Sequence, residues 1–165
     1  MAFVALLLVL ASAALGAQQP SLLTPPPRFD FGPLLDAQDS LSAAAAGFEK
    51  AYAAWRDAGA NAATQDGSQA SEPAAANLAE VNRRLVRAER VLVLRDGLKN
   101  RPWYKHSLYA PGFYTGYGVK TMPGIREAIE QGEWSSVNGE IARVAQALNA
   151  EAALVKEAAA LLQPR

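Results

Sequence analysis

The spacing of apolar residues restricts this fold more than any other feature. Leu34, Ala37, Leu41, Ala44, Phe48, Tyr52 and Trp55 follow one another at alternating steps of three and four. That rhythm puts one apolar stripe on one side of an α-helix and fits no strand. It predicts a helix from about Pro33 to Ala58, with Asp30 as its cap, Pro33 in the first turn and Gly59 as its stop. The same rhythm returns near the end: Val137, Ile141, Val144, Leu148, Val155 and Leu162 form one seam of a helix from about Ser136 to Leu162. Leu154 and Leu161 add a second apolar strip beside that seam, wider than a single packing face needs. They are therefore the interface candidates. Between the two lie a helix expected over about Ala75–Arg95, led by Leu78, Val81, Leu85, Ala88 and Leu92, and a short one over about Pro123–Gln131. No stretch alternates with period two, so the fold class is all-α: a helical bundle of three long helices and one short helix.

Composition narrows the chemistry. The 165 residues hold 16 Lys+Arg, 16 Asp+Glu, one histidine and no cysteine. A zinc, haem or iron–sulfur site lacks its usual ligands, and His106 is the one imidazole that could serve as a base. We therefore expect no cofactor, no bound metal and no catalytic residue in this chain. Arg83, Arg87 and Arg90 share one side of the second helix, but Glu80 stands four residues before Arg84 and the net charge is zero. A solvated, locally paired face fits these facts better than a nucleic-acid surface. Charge is nevertheless uneven along the chain. Residues 18–77 carry 3 basic and 7 acidic side chains, against 13 and 9 in residues 78–165. This split is expected to help the first helix dock on the remainder.

Residues 1–17 read as a signal peptide: an uncharged apolar run from Phe3 to Leu10, then small residues with Ala14 and Gly16 at the −3 and −1 positions of a cleavage site. Its leading residues contain no Lys or Arg. The run falls short of the ~20 strongly apolar residues that a membrane span requires. The expected destination is secreted or periplasmic, with no stable membrane span after cleavage. Residues 18–28 form a proline-rich spacer, and residues 59–76 a small, polar linker.

Residues 98–122 have neither period, yet contain six of the chain's 13 aromatics, among them Trp103, Tyr104, Tyr109 and Tyr117. A stretch this long inside a compact domain is ordered and has a task. It also carries specific motifs: R-P-W-Y-K-H over Arg101–His106, Y-A-P over Tyr109–Pro111 and P-G-I over Pro123–Ile125. Asn82, Leu85, Glu89 and Arg90 precede them in the spacing N-x-x-L-x-x-x-E-R, and Phe29–Leu34 reads F-D-F-x-x-L. In this order, over residues 29–163, the chain resembles the C-terminal helical dimerisation domain of the transferrin receptor and glutamate carboxypeptidase family.

The resemblance implies a bundle that pairs about a two-fold axis, as a homodimer or as a heterodimer with a family peptidase. In family members this bundle follows a two-zinc peptidase domain and a protease-associated domain, and neither pattern occurs here. The chain is then a free-standing paralogue or a product lacking its catalytic middle. A Lys-Tyr pair in the family loop recognises a substrate carboxylate, and the matching positions here are Gly116 and Tyr117. These are the substrate-pocket candidates by resemblance, the tyrosine kept and the cation missing. Read from the residues alone, Tyr117 is an aromatic plug bonded to a backbone carbonyl and His106 a hydrogen-bonded structural residue. Two functions stand: a non-catalytic exported interaction module, or the C-terminal part of a zinc peptidase system that lends its aromatic loop to an active site on another chain or on a lost catalytic domain.

Overall fold

In the computed structural model, residues 27–66, 72–114 and 116–163 are described. The signal-peptide reading of residues 1–17, most of the spacer, and linker residues 67–71 lie outside them. Helix α1 spans Gly32–Asp66, α2 Glu72–Leu85, α3 Ala88–Val91, α4 Pro123–Glu130 and α5 Trp134–Ala160. The architecture is all-α, with a small antiparallel ribbon of β1 (Tyr109–Pro111) and β2 (Val119–Thr121) set into it.

Helices α1 and α5 run side by side in the same direction. Leu34 and Ala37, early in α1, share a core with Val137, Ile141, Val144 and Leu148 of α5. Phe48, Ala51 and Trp55, later in α1, meet Ala158 and Leu162 in a second cluster. Helix α2 returns antiparallel to both, placing Val81 in that second cluster and Leu92, past α3, in the first. The alanines Ala37, Ala44, Ala145, Ala152 and Ala158 are buried, so the helices approach closely while each contact removes little apolar surface from water.

Three sequence expectations change. Gly59 does not stop α1, whose backbone continues to Asp66. A glycine in a helix interior costs about 1 kcal/mol against alanine, and the alanine-rich residues around it repay that. The helix expected over Ala75–Arg95 begins earlier and breaks after Leu85: Arg87 N–H bonds back to Arg84 O, three residues away rather than four. This tighter turn swings Leu92 into the first core cluster, and Val93 then pairs as a β-bridge with His106. The third change is the ribbon. Strands of three residues are too short to write an alternating pattern into the sequence.

The uneven charge also has a different outcome from the one expected. Among the described residues the ion pairs of α1 reduce to Arg56 with Asp57, and none joins α1 to the rest of the bundle. Apolar packing alone docks this helix.

Candidate functional site

The long aromatic stretch folds around one arginine. Gly97 takes φ +70°, which lets the chain turn back so that Leu98 N–H reaches Tyr104 O at 2.8 Å. A β-carbon on Gly97 would overlap the Pro102 carbonyl. The turn sends Arg101 inward. Its Nη1 donates to Pro111 O at 2.6 Å and its Nη2 to Glu127 Oε1 at 2.6 Å, with both charged side chains 8% exposed. Glu127 Oε1 also accepts Phe113 N–H at 2.9 Å. The guanidinium lies 5.0 Å from the Tyr104 ring centre and 5.4 Å from that of Phe113. One buried ion pair thus joins the R-P-W-Y-K-H turn, the end of β1 and helix α4.

A second clamp ties this unit to the bundle. Arg143 on α5 donates to Gly97 O at 2.9 Å and pairs with Glu140 at 2.8 Å, while the Glu140 carboxylate occupies the space where Gly124 would carry a side chain. Lys120 on β2, itself buried, pairs with Glu130 of α4. Met122, at φ +44°, hands its N–H to Leu108 O at 2.8 Å and aims the chain into α4.

At the base of the hairpin His106 Nδ1 accepts the Leu108 N–H at 3.2 Å, and the ring stacks on Tyr109 with centres 3.8 Å apart. The imidazole Nε2 lies 3.2 Å from Glu89 Oε1 but off the line a hydrogen bond requires. Tyr109 OH donates to that carboxylate at 2.6 Å. This bond, then partial desolvation and the Glu89 charge, raises the Tyr109 phenol above its usual value. Burial, and then the Glu89 charge, likewise raise Glu151 on α5, with His106 acting in the opposite sense. His106 therefore holds a turn by accepting a hydrogen bond from the backbone.

Held at its base, the hairpin presents aromatics at its tip. Gly112 N–H bonds to Gly118 O at 3.0 Å, and the residues between them form the tip. Phe113 and Tyr114 meet edge to face at 4.8 Å, and both are exposed. Tyr117 is fully exposed, at 101%. The plug expected from the sequence is absent: its ring touches no core and its hydroxyl bonds no carbonyl. Gly116 sits beside it at φ +58° with open space on its side-chain side, a conformation that a lysine adopts only under strain. The structure thus keeps Gly116 and Tyr117 adjacent at a solvent-facing tip.

The two interface candidates separate. Leu161 is half-buried against the cluster of Val81, Ala158 and Leu162. Leu154 borders an open groove between α2 and α5, together with Arg84, Arg87 and Val91. The sequence reading missed Arg101, Glu127 and Gly97 as the residues that shape the hairpin. The signal for Arg101 was its place at the head of the R-P-W-Y-K-H motif, which marks the residue but not its partner. Among the described residues no group of three or more His, Cys, Asp or Glu side chains is arranged to hold a metal ion.

Comparison with known proteins gives a consistent picture. Residues 29–156 match the family described as the transferrin receptor-like dimerisation domain. The probable glutamate carboxypeptidase LAMP1 of Arabidopsis thaliana is 42% identical over 84 residues, which are 47% of this chain and 12% of that relative. A probable glutamate carboxypeptidase of Arthroderma benhamiae is 36% identical over 66 residues, 40% of this chain and 9% of its own length. The probable glutamate carboxypeptidase AMP1 of Arabidopsis thaliana is 36% identical over 76 residues, 46% of this chain and 11% of its own. The chain therefore spans about a tenth of the length of the relatives it matches.

Proposed function

Because the chain belongs to the transferrin receptor-like dimerisation domain family, we propose that it is an exported, non-catalytic pairing module. It associates with a second copy of itself or with a glutamate carboxypeptidase-like peptidase. The supporting observation is that the family match covers residues 29–156, nearly all of the described fold, while the stretch aligned with the relatives is 9% to 12% of their length. Export rests on the apolar run Phe3–Leu10 and the small residues after it. Among the described residues no helix is long and apolar enough to cross a membrane.

Light scattering coupled to size-exclusion chromatography tests the reading, with twice the chain mass expected at micromolar concentration. A chain that stays monomeric at high micromolar concentration, and captures no purified family peptidase, overturns it. Export is read separately by mass spectrometry of the protein from its native host, with a mature terminus at Ala17 or Gln18. An intact Met1 in the cytoplasmic fraction refutes that part. Elemental analysis after dialysis is expected to find no stoichiometric zinc.

The exposed hairpin favours a second reading. Phe113, Tyr114 and Tyr117 are presented to solvent on a rigid base, as they would be if the tip completed a pocket on another polypeptide. With Gly116 in place of a cation, such a pocket does not select a substrate carboxylate. Adding the chain to a family peptidase and measuring kcat/KM tests this: a rise that Tyr117→Ala abolishes supports the accessory role, and no change excludes it.

A further inference from the structure

The acidic side of α1 and the arginine side of α2–α3 are both exposed, and among the described residues Asp36, Asp39, Glu49, Arg87 and Arg90 make no ion pair. Asp36 and Asp39 flank Leu35, which is 57% exposed on the side of α1 turned from the core. Among the described residues neither aspartate has an ion-pair or side-chain hydrogen-bond partner, and neither does Glu49 further along the helix. On α2–α3, Val86 is 73% exposed and lines a shallow, open groove with Ala79, Asn82, Arg83, Arg87 and Arg90. Arg83 shares Glu80 with Arg84, whereas among the described residues no carboxylate pairs with the Arg87 or Arg90 side chain.

Each patch has an apolar centre and a rim of one charge, and the two rims have opposite signs. That is the anatomy of a protein interface cut in half. We propose that a second copy of this chain is the occupant: Leu35 of each protomer seats in the groove around Val86 of the other, with Asp36 and Asp39 against the arginine rim. A two-fold axis makes this contact twice, so four carboxylates meet two arginine rims. The alanines Ala43 and Ala46 and Gly47, exposed between the charges on α1, leave no bulk to hold the partner away. The inference rests on the pairing function above and adds which surfaces pair. Net charge zero distinguishes this partner from a polyanion, because the same chain that offers the arginines also supplies the acids.

Charge reversal tests it on the full chain. Asp36→Arg/Asp39→Arg makes both patches basic, and Arg87→Glu/Arg90→Glu makes both acidic. All four positions are exposed, so thermal melts of both variants are expected to match the wild type. Each variant alone should dissociate at least about tenfold more readily than wild type, since each exposed pair contributes modestly but is repeated and then reversed in sign. An equimolar mixture of the two variants restores both contacts and should recover dimers, and raising the salt concentration should weaken the wild-type dimer. If the wild type dimerises and both variants do so equally well, these surfaces are not the interface and the proposal fails while the pairing function stands. A monomeric wild type overturns this proposal, and overturns the pairing function as well when the chain also captures no purified family peptidase. Loss of dimers in the arginine variant alone, without rescue by mixing, pairs the groove with a different surface of the second copy and overturns its assignment to Leu35, Asp36 and Asp39.

Discussion

Arg101 and Glu127 meet at 2.6 Å with both side chains 8% exposed, 26 residues apart in sequence and on different structural units. The pair holds a hairpin, a turn and helix α4 in one arrangement. Removing one member leaves a charge buried without its partner, which costs about 3–5 kcal/mol. Arg101→Met is expected to fall in that range by urea unfolding. Glu127→Gln keeps an acceptor for the Phe113 N–H and should cost less. The double variant Arg101→Met/Glu127→Leu should be more stable than the sum of its single changes, because no lone charge remains.

Two glycines make opposite predictions. Gly97 stands at φ +70° with the Pro102 carbonyl where a methyl group would go, so Gly97→Ala should cost about 2 kcal/mol or more. Gly139 lies in helix α5 with nothing within 4 Å of an added β-carbon. There the alanine only restricts the unfolded chain and favours the helix, and Gly139→Ala should stabilise by about 0.5–1 kcal/mol. Melting temperatures of the two variants, moving in opposite directions, check the local geometry of both sites.

Glu151 supplies a pH dependence. Burial and the nearby Glu89 charge raise its carboxyl above the ordinary 4.5, so the folded protein holds this proton more tightly than the unfolded chain does. The resulting stabilisation is fully present below the ordinary value and is lost as pH climbs through the raised one, so ionised Glu151 weakens the fold at neutral pH. The site is largely solvated, which limits the effect to about a few tenths of a kcal/mol. Glu151→Gln should stabilise by that amount at pH 7 and make no difference near pH 4, as read from urea midpoints.

Leu154 and Leu161, seven residues apart on one side of the last helical segment, should now behave differently. Leu161→Glu places a carboxylate against Val81 and Leu162 and should destabilise the monomer by about 2 kcal/mol. Leu154→Glu places it at an open groove beside Arg84 and Arg87, where water and the guanidiniums receive it. Its melting temperature should stay near that of the wild type. A common loss of stability in both variants would show that the α2–α5 groove is closed in solution.

The periodic segments were legible from the sequence because a buried helix face writes a repeating mark. The steps through Leu34, Ala37, Leu41 and Phe48, and through Val137, Ile141, Val144 and Leu148, settled two helices and the side of each that faces the core. Punctuation settled the short helix: Pro123 opens α4, and Gly132, at φ +70°, follows its end. The motifs from Arg101 to Ile125 were visible as motifs, but their purpose was not. No local rule says that Arg101 reaches Glu127, that His106 accepts a hydrogen bond from the Leu108 backbone, or that Gly97 must clear Pro102, because each joins segments whose closeness depends on the whole chain being folded. For the same reason composition could count the acids of α1 and the arginines of α2, yet only the packed bundle decided that they face solvent instead of one another. Apolar burial fixed the placement of the long helices, and the charges of α1 and α2 took the surface that remained.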